Sequence, residues 1–439
     1  MDSQMVESDP EFIKRATVAF VNDSKRFCTI NRNFTRQYAS LYDKRLETIR
    51  PLIMRSMRTS IDKGTQLKQL CDVKLGEVCL IIGTLLKVQH LKPSILKEVS
   101  DEHNLEPEPL RTSYVHEDDE LILEDGLQRV TLAGRIEPAN FVNGMAVGLL
   151  GKEKSDGKFH VSEIFHATLN PPATISSLED DKYVLFASDI DFGGASNASL
   201  GIQLLTDFVR GDLGATDFVR RICCVVIAGN ALSSSTQNRE LVSQARYLTK
   251  NILPSSVEPM QKFDGMLARI CAACPVVVMP GCWDPAGGLL PQQPLHKCMF
   301  PNSQTLSLHL LPNPASFSLD EISFLGCSGQ NISDISRYSK LTPQEALKST
   351  LQFAHMAPTA PDTIGCYPFS ECDPFIIKKR PHVYFVGNQN NFHSEEVGDE
   401  VATTVFTIPS FAETNQVVLF NLSDLSCVPF VINSDSLCE

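Results

Sequence analysis

The sequence predicts an α/β protein carrying a separate all-β module ahead of its main domain. Three observations lead there. Between residues 71 and 170, short apolar runs alternate with glycine-containing turns. Beyond residue 182, buried β-branched runs alternate with stretches of helical period, as in layered α/β folds. Four of those runs end in short polar loops, the places where such folds assemble sites. The boundaries that follow are 1–70 for an N-terminal helical arm, 71–170 for the all-β module, 171–181 for a linker and 182–439 for the α/β domain.

At 439 residues the chain is long enough for two or three units of ordinary domain size. Hydrophobic residues at 43% and charged residues at 21% give the balance of a folded globular protein. A net charge of -13 excludes attraction of phosphate backbones by the whole surface, so any nucleic-acid contact has to be local. The basic excess lies in residues 1–70, whereas residues 101–125 hold ten acids against Arg111 alone. No run approaches the ~20 apolar residues of a membrane span. The opening MDSQMVESDP is polar and acidic, unlike a secretory leader, so the expectation is an intracellular chain whose fourteen cysteines are mostly reduced core fillers.

Within the arm, Tyr38, Leu41, Tyr42, Leu46 and Ile49 recur at helical spacing, and Pro51 is expected to interrupt that helix. CLIIGTLLKV opens the all-β module. Two hairpins follow: Leu121 and Leu123 face Val130 and Leu132 across Asp125 and Gly126, and a second turn carries Asp156 and Gly157. A small barrel results. Barrels of this kind bind single strands through aromatic stacking, and Tyr114, Phe141, Phe159 and Phe165 are the available rings. With so few rings and an acidic run beside them, protein binding is the expected use.

After the linker PPATISSLEDD, YVLFASDI reads as a strand, and Leu200, Leu204, Leu205, Phe208 and Val209 mark a helix stopped at Gly211. RICCVVIAG and PVVVMPG read as strands, with helices around ELVSQARYL and MQKFDGMLARICAAC between them. LTPQEALKSTLQFAH begins with a capping box, Thr342 to Glu345 with Pro343 first in the helix, and is expected to carry His355 near its end. ATTVFTI, QVVLFNL and CVPFVI close the chain as strands of one meander.

The four polar loops are ASDIDFGG, IAGNAL, MPGCWDP and FVGNQN. Their order and setting resemble the calcineurin-like metallophosphoesterase family, whose corresponding loops carry Asp-x-His, Gly-Asp, Gly-Asn-His-Asp/Glu and Gly-His-x-His. In that family carboxylates and imidazoles hold two divalent metals that generate hydroxide and clamp phosphoryl oxygens. Here Asp189 remains, Asp191 replaces a histidine, and Asn230 replaces the acid that would bridge both metals. Cys282 stands at the asparagine position and Trp283 at the transition-state histidine position, with Asp284 retained. Asn388 and Asn390 occupy both final histidine positions, leaving His355 as the one histidine of the set. Indole neither protonates a leaving group nor binds metal. The resemblance therefore implies a degenerate phosphoesterase site with no catalytic residue, no metal and no cofactor.

Longer blocks narrow the resemblance: RQYASLYDKRL, IIGTLLKVQHLKPSILKEVS, DELILEDGLQRVTLAG, AGNALSSSTQ, LPQQPLHKCMFP, FLGCSGQNISDISRYS and APTAPDTIGCYPF, then DPFI and PHVYFVGN. These are similar to the B-subunit, or second-subunit, family of eukaryotic DNA polymerase delta, from Arg36 to Asn390. That resemblance implies an OB-type barrel followed by a two-sheet calcineurin-like phosphoesterase sandwich flanked by helices. It implies a non-catalytic nuclear scaffold in DNA replication and repair. Its partners would be the C-terminal cysteine-rich module of the catalytic subunit and a third subunit, with DNA met only indirectly or weakly and no membrane.

Two other classes compete: a metal-dependent phosphoesterase with a remodelled site on the surviving Asp189, Asp284 and His355, and a single-strand-binding barrel served by the basic arm. Cys271 and Cys274 form a Cys-x-x-Cys, but they share a helical stripe with Phe263, Met266, Leu267 and Ile270 and are expected to pack in the core. His296 and Cys298 have no second pair at zinc-site spacing.

Overall fold

The computed structural model describes residues 15–29, 33–92, 111–175, 180–194, 198–214, 216–237, 254–398 and 401–433. The expected helix around ELVSQARYL and part of the expected linker lie outside the described residues.

Strand β1 (Phe20–Asn22) comes first, followed by helix α1 (Ala39–Ser56). The barrel is built from β2 (Val78–Val88), β3 (Glu120–Glu124), β4 (Arg129–Gly134), β5 (Ala146–Glu153) and β6 (Phe159–Phe165), closed in the order β2-β3-β4-β6-β5. Closure depends on the length of β2, which pairs with β5 through its first part and with β3 through its second, Thr84 serving both. Gly83 sits at that exchange, where a Cβ would lie 2.5 Å from the Glu124 carbonyl oxygen. Leu123 faces Val130 as the alternation predicts, and Gly126 turns the hairpin with φ of 95°.

The second domain contains two six-stranded sheets. One sheet draws on β7 (Tyr183–Ala187), β8 (Ile222–Ala228), β9 (Val276–Met279) and β10 (Leu308–Leu310), which are parallel. The other contains β11 (Ala315–Leu319), β12 (Ile322–Cys327), β13 (Val383–Gln389), β14 (His393–Val397) and β15 (Thr403–Pro409). Strands β16 (Gln416–Asn421) and β17 (Cys427–Val431) return to the first sheet, giving the orders β10-β9-β8-β7-β16-β17 and β1-β11-β12-β13-β15-β14.

Period-two alternation sorts each strand between layers. Val184 and Phe186 of β7 join Phe324, Phe385, Phe406 and Phe420 between the sheets, while Leu185 and Ala187 face outward. Helices α2 (Ala198–Arg210) and α3 (Val257–Cys271) cover that outer face with Leu205, Phe208, Phe263 and Leu267. Helices α4 (Gln330–Tyr338) and α5 (Pro343–Gln352) cover the second sheet, and the capping box at Thr342 is present. Each such buried side chain contributes about 1.5–3 kcal/mol. Cys271 and Cys274 are buried in the first of these outer layers.

The barrel and the second domain share one core. Leu85, Val147 and Phe159 of the barrel belong to the same cluster as Ile332, Ile335, Leu347 and Tyr384.

Four expectations need correction. Helix α1 runs through Pro51, because Ile49, Ile53 and Met57 bury against Leu80, Ile82 and Ala146, and that packing outweighs one missing amide donor. The N-terminal 70 residues are not wholly a helical arm, since β1 pairs antiparallel with β11 and Phe20 stacks on His309 at 3.9 Å. The closing strands are not one meander: β15 lies in one sheet, while β16 and β17 lie in the other. Helix α5 ends at Gln352, three residues before His355. No helix among the described residues is long and apolar enough to cross a membrane.

Candidate functional site

The C-terminal ends of β7, β8, β9 and β13 place the four polar loops together. Main-chain bonds lock them: Asp189 N–H donates to Gly229 O at 3.0 Å, and Phe192 N–H donates to Ala231 O at 2.9 Å. Asn388 N–H donates to Ser188 Oγ at 2.9 Å. Asp189, Asp191, Asn230 and Asn388 all have left-handed backbones, with φ of 55°, 61°, 52° and 56°. Asp and Asn tolerate that region better than most residues, yet it still carries strain and persists where surroundings enforce it.

Each polar side chain is held by its neighbours. Asn230 Oδ1 accepts from Trp283 N–H at 3.3 Å and from the Cys282 thiol at 3.5 Å. Asp284, 2% exposed, accepts from Leu232 N–H at 2.9 Å and Gly281 N–H at 2.7 Å, so it ties the second loop to the third. Asp189 accepts from Ser410 Oγ at 2.6 Å. Asn388 Nδ2 donates to Ser328 O at 2.5 Å, while its buried Oδ1 has no hydrogen-bond partner among the described residues. Trp283 is half-buried, and Asn390 lies at the surface just past β13.

Burial pushes the carboxyls of Asp189 and Asp284 above their ordinary range; Ser410 opposes this at Asp189, and main-chain N–H groups oppose it at Asp284. Burial of its sulfur pushes the Cys282 thiol up to about 11, so it is a poor nucleophile at neutral pH.

The Asn230 oxygen already accepts from two donors, and a Cβ on Gly281 would stand 2.2 Å from it. Among the described residues, no group of three or more His, Cys, Asp or Glu side chains is placed to hold a metal ion.

His355 makes its contacts in a different network. Its Nε2 donates to Asp373 Oδ2 at 2.8 Å and its Nδ1 accepts from Ala357 N–H at 3.2 Å. The same Asp373 oxygen accepts from Arg45 Nε at 2.8 Å. The Arg45 guanidinium also reaches Pro358 O and Ala360 O at 2.8 Å and, from the barrel, Gly144 O at 3.4 Å. Burial opposes the charge of Asp373, but His355 and Arg45 outweigh it and hold the carboxyl well below its ordinary range. His355 is lowered by burial and by Arg45, and its acceptor Nδ1 fits a neutral ring. Sequence reasoning missed Arg45 and Asp373. A signal existed: Leu41, Arg45, Ile49 and Ile53 follow at four-residue steps, which places the arginine in the buried stripe of α1.

All four barrel rings considered for base stacking are buried. Tyr114 stacks on Tyr338 of α4 at 5.0 Å, and Phe141 meets Phe353 edge-on at 6.1 Å. Of the other pairs weighed, His296 and Cys298 are exposed, and His296 Nδ1 accepts from Cys298 N–H at 3.2 Å.

Comparison with known proteins adds family information to this geometry. Residues 184–394 match the family of the B subunits of DNA polymerases alpha and epsilon, and residues 37–164 match the OB-fold domain family of the DNA polymerase delta subunit. The chain is 37% identical to a DNA polymerase delta small subunit of Oryza sativa subsp. japonica, over 94% of this chain and 97% of that protein. It is 39% identical to the DNA polymerase delta small subunit of Arabidopsis thaliana, over 89% and 90%. It is 34% identical to DNA polymerase delta subunit 2 of Drosophila melanogaster, over 94% and 97%. A purple acid phosphatase from yellow lupin seeds superposes with a TM-score of 0.27 and 9% identity, covering 67% of this chain and 61% of that one, which is too low to bear on the fold.

Proposed function

The chain belongs to the DNA polymerase delta small-subunit family, and from that premise we propose that it is a non-catalytic scaffold of the polymerase delta complex. Accessory membership in a polymerase delta assembly follows from the family. The finer reading has this chain bridge the C-terminal cysteine-rich module of the catalytic subunit and a third subunit, in the nucleus, during replication and repair synthesis.

One observation carries the scaffold reading. At the strand ends, Asn230 and Asp284 use their oxygens to fasten one loop to the next, where a hydrolase would leave them open to metal and substrate. Asp189, Asp191, Cys282, Trp283, Asn388 and Asn390 complete the degenerate set, and His355 belongs to the barrel-facing lock instead. A surface fixed in this way presents constant loops to a protein partner. The burial of Tyr114, Phe141, Phe159 and Phe165 inside the barrel and against the second domain supports protein binding over strand binding.

The test is affinity purification of the tagged chain from nuclear extract, followed by reconstitution with purified catalytic and third subunits. Recovery of a ternary complex that falls into two separate parts when this chain is omitted is the expected result. A stable pair of the other two subunits in its absence would refute the bridging role. Manganese-dependent phosphate-ester hydrolysis that vanishes on Asp189→Ala would refute the non-catalytic one.

A further inference from the structure

At the end of the first sheet opposite the polar loops, where β8 and β9 begin, α2 and α3 finish beside an open cleft of about 410 Å³. Its walls carry Arg15, Arg210, Arg220 and Arg269 against one acid, Asp212. Such clustering is unexpected on a chain with a net charge of -13.

Three of the arginines have acidic partners. Arg210 lies 3.2 Å from Asp212, Arg220 lies 3.5 Å from Asp217, and Arg269 lies 2.5 Å from Asp207. Arg15 has none among the described residues. Its Nη2 donates to Val209 O at 2.6 Å, and its guanidinium also meets the buried Cys274 thiol, a neutral neighbour that brings no counter-charge. A half-buried guanidinium without an acidic partner among the described residues leaves its charge unbalanced.

Helix ends explain only part of the cluster. Arg210 and Arg269 stand in the last turns of α2 and α3, where cations complement the helix dipole. Arg15 comes from the N-terminal segment and Arg220 from the turn before β8, so neither belongs to those helices. The fold has brought two further guanidiniums to a place where the helix ends need none.

We infer that this cleft binds the phosphate group of a phosphorylated side chain on a partner peptide. Guanidinium forks match phosphate oxygens geometrically, and a dianion supplies the charge that Arg15 lacks. The cleft is a single small concavity, not a basic stripe of the kind that follows a nucleic-acid backbone. The inference does not depend on how the loops at the opposite end of the sheet are read.

The test is calorimetric titration of the full-length chain with a glycine-flanked phosphoserine peptide, its unphosphorylated counterpart, and single-stranded oligothymidylate. Saturable binding of the phosphopeptide alone, displaced by inorganic phosphate, is expected. Arg15→Met and Arg220→Met should each weaken it about tenfold or more, the worth of one charged hydrogen bond. Arg129→Met, on the exposed barrel surface, should leave it unchanged. Arg220 is half-exposed, so its variant tests the site even if Arg15→Met loses the fold by circular dichroism. The inference is overturned if the phosphopeptide does not saturate, if Arg220→Met binds it as well as the unaltered chain, or if the oligonucleotide binds equally and is lost with the same substitutions.

Discussion

Arg45 Nε donates to Asp373 Oδ2 at 2.8 Å with neither side chain exposed to solvent. This pair joins α1 to the second domain, and the remaining guanidinium nitrogens add Gly144 of the barrel together with Pro358 and Ala360. One cation therefore organises three parts of the chain.

Removing Arg45 strands a buried carboxylate. Arg45→Met should destabilise the chain by about 3–5 kcal/mol in urea unfolding, and Arg45→Met with Asp373→Asn should recover part of the loss. Equal destabilisation in the single and double variants would contradict an uncompensated charge as the cause.

Acid should loosen this lock in two stages. Asp373 is depressed in the folded state, so its contribution is present above the unfolded value of about 3.9 and is lost as pH falls toward the folded one. His355 is kept neutral, so the unfolded chain takes up its proton first, and stability declines once pH drops below about 6.5. His355→Asn should flatten the upper stage and leave the lower one, as read from unfolding midpoints between about pH 7 and 2.

Asp189 titrates in the opposite sense. Its raised carboxyl favours the folded state at low pH, and this contribution is lost as pH rises through the folded value. Asp189→Asn should therefore leave stability at pH 7 unchanged or raise it by up to about 1 kcal/mol, provided Ser410 keeps an acceptor. A metal-holding aspartate would behave differently, since its loss would lower both metal content and melting temperature.

Close approach of the loops makes Gly281 hard to replace. A Cβ there would meet Asn230 N and Oδ1 at 2.2 Å, and Gly281→Ala should cost about 1–3 kcal/mol by thermal unfolding. Asn230→Asp, Cys282→Asn and Trp283→His combined should still bind no stoichiometric pair of manganese ions by elemental analysis.

Barrel aromatics should matter for stability and not for nucleic acid. Phe159→Ala, at a fully buried position, should cost about 3–5 kcal/mol, with no selective change in oligonucleotide binding by the folded fraction.

Much of this architecture was legible in the sequence because it rests on local rules. The alternation in Leu121 to Leu132 fixed one hairpin of the barrel, and Thr342 to Glu345 fixed the start of α5. The four polar loops could be aligned because each follows a buried strand. Contacts made at long range were not legible. Nothing near Phe20 announces a strand whose partner is Leu319, and Pro51 looks like a helix end until the surface packed behind Ile49 and Ile53 is known. His355 was grouped with the loops by its residue type, whereas Asp373 and Arg45, far from it in sequence or unremarkable in type, determine where it acts.

The common core of Leu85, Val147, Ile332 and Tyr384 also limits how the molecule can be cut. Expressed as residues 71–170 alone, the barrel would turn a hydrophobic wall to solvent, and aggregation on size-exclusion chromatography is the expected outcome. A piece that keeps this core whole is therefore larger than either domain, because each supplies the other's counterface.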